Sequence, residues 1–250
     1  MELMSGKIFG FIMVLTRISA LFLVLPIFSW TSIPARVKLA MTVLLAIFFS
    51  MITPVSVGTK QISVLKAILL ISNEGVYGLS LGLVAIIVFS AIKLGGRMIE
   101  QQMGLDIAQV LDPLTGEEDQ LLGTFLEIIF IILFLAANGH HLLLTIISRS
   151  YEAFPAGSIP TITVLTNGIV KAGSVLLLAS IRLAAPMLAA FLLLMVILAV
   201  LARIVPEMDI LFISFPVRIG LGLFMLAIFL PLINGFMTEF ADWMGKLLPL

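Results

Sequence analysis

A few groups of residues in this 250-residue sequence have types and spacings that could do chemistry. Gly78-Leu79-Ser80-Leu81-Gly82 matches G-x-S-x-G, the pattern of a hydrolase nucleophile elbow. That elbow works only where a strand-to-helix turn exposes the serine oxygen. Here the pentapeptide lies inside a long apolar run. Gly78 and Gly82 stand four apart, on one face of a helix, with the small-residue spacing that lets membrane helices approach closely. Gly6 and Gly10 repeat that spacing. Helix packing is the favoured reading, and an intramembrane hydrolase built on Ser80 and a histidine is the alternative from a different class. His140 and His141 are the only histidines. Neighbouring helical residues diverge by about 100°, whereas metal-binding pairs stand four apart so that both imidazoles face one ion. A polar pair at a helix start or interface suits them better. The absence of cysteine excludes thiol catalysis, disulfides, Cys-ligated zinc and iron–sulfur clusters. No P-loop, catalytic triad or metal cluster is visible, so no catalytic residue, no metal and no cofactor is expected.

Charge is the other unusual feature. Arg17, Glu74, Glu127, Arg182 and Arg218 lie within or beside apolar runs, where a charge at mid-membrane costs about 2.5–3.5 kcal/mol on insertion scales. Each must snorkel, pair inside a bundle, or line an aqueous path. Between residues 100 and 120 the chain holds six of its 14 acids, Glu100, Asp106, Asp112, Glu117, Glu118 and Asp119, and no lysine or arginine. Asp112-Pro113 should turn the chain. Thr115-x-x-Glu118 has the spacing of a capping box, and Glu117, Glu118 and Asp119 suit a helix N-terminus. Gly104-Leu105-Asp106-Ile107-Ala108-Gln109-Val110-Leu111 mixes apolar and polar positions too finely to span lipid. It is either an interfacial loop or a segment folded into a protein-lined cavity, where irregular backbone is tolerated at membrane depth.

The elements that position these residues follow from composition. The chain is 61% hydrophobic and 11% charged, with a mean hydropathy of +1.25. A soluble domain carries roughly 25% charged residues, so this chain cannot clothe a water-facing surface. Lysine plus arginine and aspartate plus glutamate both total 14, leaving no basic excess for a phosphate backbone, and nucleic acid is not an expected partner. The apolar runs are continuous and do not alternate, which excludes a transmembrane barrel. Spanning roughly 30 Å of hydrocarbon takes about 20 helical residues. Six runs meet that length: 8–30, 39–57, 67–92, 121–139, 172–202 and 210–238. A shorter one, 142–148, continues from the fourth through a break at Asn138-Gly139.

Pro26, Pro54, Pro186, Pro216 and Pro231 fall in or at the ends of these runs and predict kinked helices. The expected fold is all-α: an integral membrane protein of about six long, kinked apolar helices arranged as helical hairpins, embedded in lipid. No small-residue cleavage site follows the first run, so a removable signal peptide is not expected. Basic residues divide almost evenly between the two sides, so orientation is undetermined. The 13 methionines and 18 phenylalanines are packing or lipid-facing residues, although Met can also seal a deformable constriction.

An ordered set of motifs resembles the flagellar biosynthetic protein FliR family. It comprises Arg17, Ile33-Pro34-x-x-Val37-Lys38, Arg97-Met98-Ile99-Glu100-Gln101-Gln102-Met103-Gly104-Leu105, Leu111-Asp112-Pro113, Leu133-Phe134-Leu135-Ala136-Ala137-Asn138-Gly139-His140, Ala202-Arg203-Ile204-Val205-Pro206-Glu207-Met208-Asp209 and Phe215-Pro216. The set spans nearly the whole chain. One departure is that the family pattern more often reads Pro-Gln-Met-Asn where this chain has Pro206-Glu207-Met208-Asp209. The resemblance implies a non-enzymatic core subunit of the bacterial flagellar type III export gate, in the inner membrane at the flagellar basal body. FliP and FliQ copies would be its partners in a helical channel, with FlhB associated and unfolded flagellar proteins translocated. It further implies one domain over 1–250, with 1–165 resembling FliP and 166–250 resembling a FliQ hairpin, divided between residues 160 and 171. The loop near 104–122 would enter and plug the pore. Gly104, Leu105, Asp106, Ile107, Val110, Leu111, Asp112 and Pro113 are the plug candidates: Leu105, Ile107, Val110 and Leu111 would seat it, and Asp112-Pro113 would return the chain. Much of the assembly would lie outside the membrane plane, with apolar faces buried on other subunits. A virulence export subunit and a stand-alone transporter or channel are the remaining alternatives.

Overall fold

The computed structural model describes residues 2–25, 28, 33–53, 63–105, 120–158, 162–207, 209–229, 235 and 239. Its helices, in chain order, are α1 (Glu2–Val24), α2 (Ala35–Ile52), α3 (Val64–Met103), α4 (Leu121–Ala136), α5 (Gly139–Ala153), α6 (Ile162–Ile204) and α7 (Ile210–Phe229). No strand occurs among the described residues. Five of these helices are long and apolar enough to cross a membrane, or up to six spans if the bent pair α4 and α5 counts as one. The chain is an all-α membrane protein.

Proline sets many of the boundaries. Helices α1, α2, α5 and α6 each stop two residues before a proline, at Val24, Ile52, Ala153 and Ile204, ahead of Pro26, Pro54, Pro155 and Pro206. The residue before proline is pushed out of the helical region by the ring. Thr53 (φ −82°, ψ 128°) and Phe154 (φ −133°, ψ 90°) show that extended backbone. Helices α1 and α2 thus end at Val24 and Ile52, short of the ends of the expected runs 8–30 and 39–57, and Pro26 and Pro54 themselves lie outside the described residues. Pro186 and Pro216 do lie inside α6 and α7, while Pro231 lies outside the described residues. The third run is longer than expected, because α3 continues past Ile92 to Met103 and takes Lys93, Arg97 and Glu100 into the helix. The fifth run is longer too. It is helical from Ile162, so the expected division at 160–171 falls largely in helix. The break at Asn138-Gly139 is present: α4 ends at Ala136, and Asn138 takes the left-handed conformation (φ 60°) before α5. A short polar side chain tolerates that region best after glycine.

Packing divides the chain into two compact units that interleave in sequence, 1–88 with 137–174 and 241–250, and 89–136 with 175–240. Helix α3 contributes its first part to one unit and its last part to the other. In the first unit, Gly78 and Gly82 of α3 lie against α1. A side chain at Gly82 would press on Val24 and Leu21, and one at Gly78 would run into the Arg17 carbonyl. In the second unit α3 and α4 form an antiparallel hairpin held by contacts at residues 89, 93, 96 and 100 of α3. Phe89 packs edge-on against Phe130 and Phe134 at 5.8 and 5.3 Å. Lys93 reaches Glu127 at 3.7 Å. Gly96 meets Gly123 backbone to backbone, so closely that an added Cβ would stand 2.7 Å from the Gly123 Cα. Glu100 closes the row.

Candidate functional site

Two of the five charges singled out from sequence meet in the first unit. Arg17 of α1 and Glu74 of α3 form an ion pair at 2.6 Å, with side chains 2% and 0% exposed. The guanidinium also donates to the Ser150 carbonyl at 3.2 Å. It lies over the rings of Tyr151 and Tyr77, 4.2 and 4.6 Å from their centroids. The other Glu74 oxygen accepts the Gly157 N–H at 2.7 Å. Gly157 presents that N–H from a left-handed backbone (φ 90°), which is accessible at little steric cost only to glycine. Beside it, the Asn73 amide donates to the Ser158 carbonyl at 2.8 Å. The Tyr151 hydroxyl donates to the Val14 carbonyl at 3.4 Å. One fully neutralised pair thus ties α1, α3, α5 and the turn after α5 together. A planar guanidinium suits such a site because it can bridge a carboxylate, a carbonyl and two aromatic faces at once.

The remaining charges behave differently. Glu127 is partly exposed and pairs with Lys93. Arg182 and Glu239 make an exposed pair at 3.4 Å. Arg218 is half-buried on α7.

Ser80 is mid-helix, its hydroxyl donating to the Val76 carbonyl one turn back at 2.8 Å. It has no strand-to-helix turn to expose it. His140 and His141 occupy the first turn of α5 and are exposed.

The base of the acid-rich connection is in the second unit. Of the plug candidates, Gly104 and Leu105 are described, while Asp106, Ile107, Val110, Leu111, Asp112 and Pro113 lie outside the described residues, as does the Thr115-to-Glu118 capping box. Gly104 terminates α3 with φ 78°. Its N–H bonds to the Gln101 carbonyl at 3.1 Å, and the Leu105 N–H bonds to the Glu100 carbonyl at 3.4 Å. That pair of bonds is a Schellman cap, in which glycine takes the left-handed position. The side chain of Glu100 then does what sequence reasoning missed. Buried to 1% exposure, it accepts the N–H of Leu121 through Oε1 at 3.1 Å and of Leu122 through Oε2 at 3.2 Å. The first N–H groups of a helix have no partner inside it and attract negative charge. Glu100 supplies both from another helix. The spacing from Lys93 to Gly96 to Glu100, three and then four, followed by Gly104, was the legible sign that the helix continued this far.

The sequence profile described as Bacterial export proteins, family 1 matches residues 8–244. The chain belongs to that family. Within the export family it is similar to the flagellar biosynthetic protein FliR of Pectobacterium carotovorum subsp. carotovorum, at 30% identity over 88% of this chain and 84% of that protein. It is likewise similar to FliR of Bacillus subtilis (strain 168), at 30% over 88% and 85%, and to FliR of Escherichia coli (strain K12), at 29% over 89% and 84%. Both ends of the acid-rich connection and both partners of the buried pair fall inside the matched region.

Proposed function

We propose that the chain is a non-enzymatic core subunit of the flagellar type III export channel, in the bacterial inner membrane at the basal body. There it closes a ring of FliP and FliQ copies associated with FlhB, and its 104–122 connection plugs a lumen that passes unfolded flagellar proteins. Family membership and the names of the FliR relatives support the export role. The observation that carries the subunit reading is the uneven burial of its apolar helices. In α3, 61% of the membrane-length apolar stretch is buried, against 22% in α6 and 6% in α7. Leu192, Leu193, Phe212 and Phe224 are among the large apolar side chains left more than half exposed. At 1.5 Å per residue, α3 with 40 residues and α6 with 43 are about 60 and 65 Å long. A hydrocarbon core is roughly 30 Å thick, so lipid alone cannot cover α6. Sister subunits can. The carry-over divides 1–165, resembling FliP, from 166–250, resembling a FliQ hairpin. The weakly buried α6 and α7 make up most of the second part.

Purification in mild detergent tests this reading. The chain should co-purify with FliP and FliQ and should conduct nothing by itself. A purified single chain that is monodisperse and transports solute would contradict it in favour of a stand-alone transporter.

A further inference from the structure

We propose that Glu100 is a positioning residue that holds the two ends of the acid-rich connection together. The inference rests on the use Glu100 makes of both its polar groups. Its main-chain carbonyl accepts the Leu105 N–H and so helps to close α3. Its carboxylate accepts the Leu121 and Leu122 N–H groups and so opens α4. The chain leaves α3 at Gly104 and returns at Leu121, and one buried residue is bonded to both points. A local cap would have served α4 alone. Gln120, the residue just before the helix, could be Asp, Ser or Asn, the usual occupants of that position. Taking the cap from α3 instead costs the burial of a carboxylate, offset by two charge-assisted bonds, and makes the start of α4 dependent on the end of α3. The Gly96–Gly123 approach brings the backbones near enough for Glu100 to span them. A bulge or slide at either end of the connection breaks at least one of these three bonds.

Losing the tether should also raise closed-state conductance; that consequence rests on the plug reading given above, whereas the tether itself does not, and one set of variants separates them. Glu100→Ala combined with Gln120→Asp removes the tether but gives α4 a local cap. The chain has no cysteine, so Gln101→Cys and Leu121→Cys, both at exposed positions, take spin labels uniquely within it. In the assembled complex the unaltered background should give a single narrow label-to-label distance. The Glu100→Ala/Gln120→Asp background should lose it and give a broad distribution. Retention of the narrow distance would overturn the proposal, because it would leave Glu100 as no more than a helix cap. Glu100→Asp, which keeps the charge but shortens the reach, should also broaden the distance, and serves if the first variant does not assemble. If the distance broadens while closed-state conductance is unchanged both in that variant and after deletion of 104–111, the tether stands and the plug reading fails.

Discussion

Glu74 and Glu100 are both buried carboxylates of α3, but they are satisfied in different ways. Glu74 faces a full positive charge, with one oxygen on Arg17 and the other on the Gly157 N–H. Among the described residues, Glu100 is met by two backbone N–H groups at the start of α4. The first arrangement cancels charge against charge between α1 and α3 and anchors the pair to α5. Removing either partner would strand an ion in a dry interior. The second sets a charge against the partial charge of a helix end, which is weaker but depends on the position of that end. One site therefore fixes a bundle, and the other registers a connection. A long-range pair suits a part of the molecule that stays put. A helix-end contact suits a part whose ends must be held in place while the segment between them does something else.

The comparison can be broken most easily at the first site. Glu74→Ala should destabilise the protein by about 3–5 kcal/mol, because it leaves a buried guanidinium unpaired. The assembled complex should be lost from detergent extracts. Replacing both residues by Met should recover most of that stability, since a well-packed apolar pair is often as good as a buried ion pair. If the double variant is no better than the single one, charge compensation is not the role of the pair. Glu100→Ala should cost less, about 0.5–2 kcal/mol, as the loss of a helix cap does. The yield of assembled complex in detergent extracts ranks the two. Ser80→Ala should shift stability by no more than about 1 kcal/mol, the net worth of one hydrogen bond, and leave export intact, whereas a serine hydrolase would lose its activity.

Several of these features could be read from residues alone, and the reasons differ. Apolar runs longer than a bilayer is thick announced the helices, and Asn138-Gly139 announced the break. Arg17 and Glu74 stood out as charges that a membrane protein must neutralise. Their pairing did not, because it joins residues 57 apart on different helices and no local spacing rule connects them. Glu100 was counted with the loop acids because the apolar run stops at Ile92, where hydropathy falls although the helix continues. Lys93, Arg97 and Glu100 read as the end of a span because hydropathy reports what lipid tolerates and not where the backbone stays helical. Pro26 and Pro54 come two residues after the ends of α1 and α2, whereas Pro186 and Pro216 stand inside α6 and α7, and hydropathy alone does not separate the two settings. Composition also could not tell α3, most of which its own chain covers, from α6 and α7, most of which it leaves exposed.

The most direct test of the export-gate account is the closed-state conductance of membranes that contain the assembled complex, with and without residues 104–111. The account predicts that the deletion leaves the complex assembled and makes the membrane leaky to ions or small solutes. An intact complex whose conductance is unchanged by the deletion would contradict it.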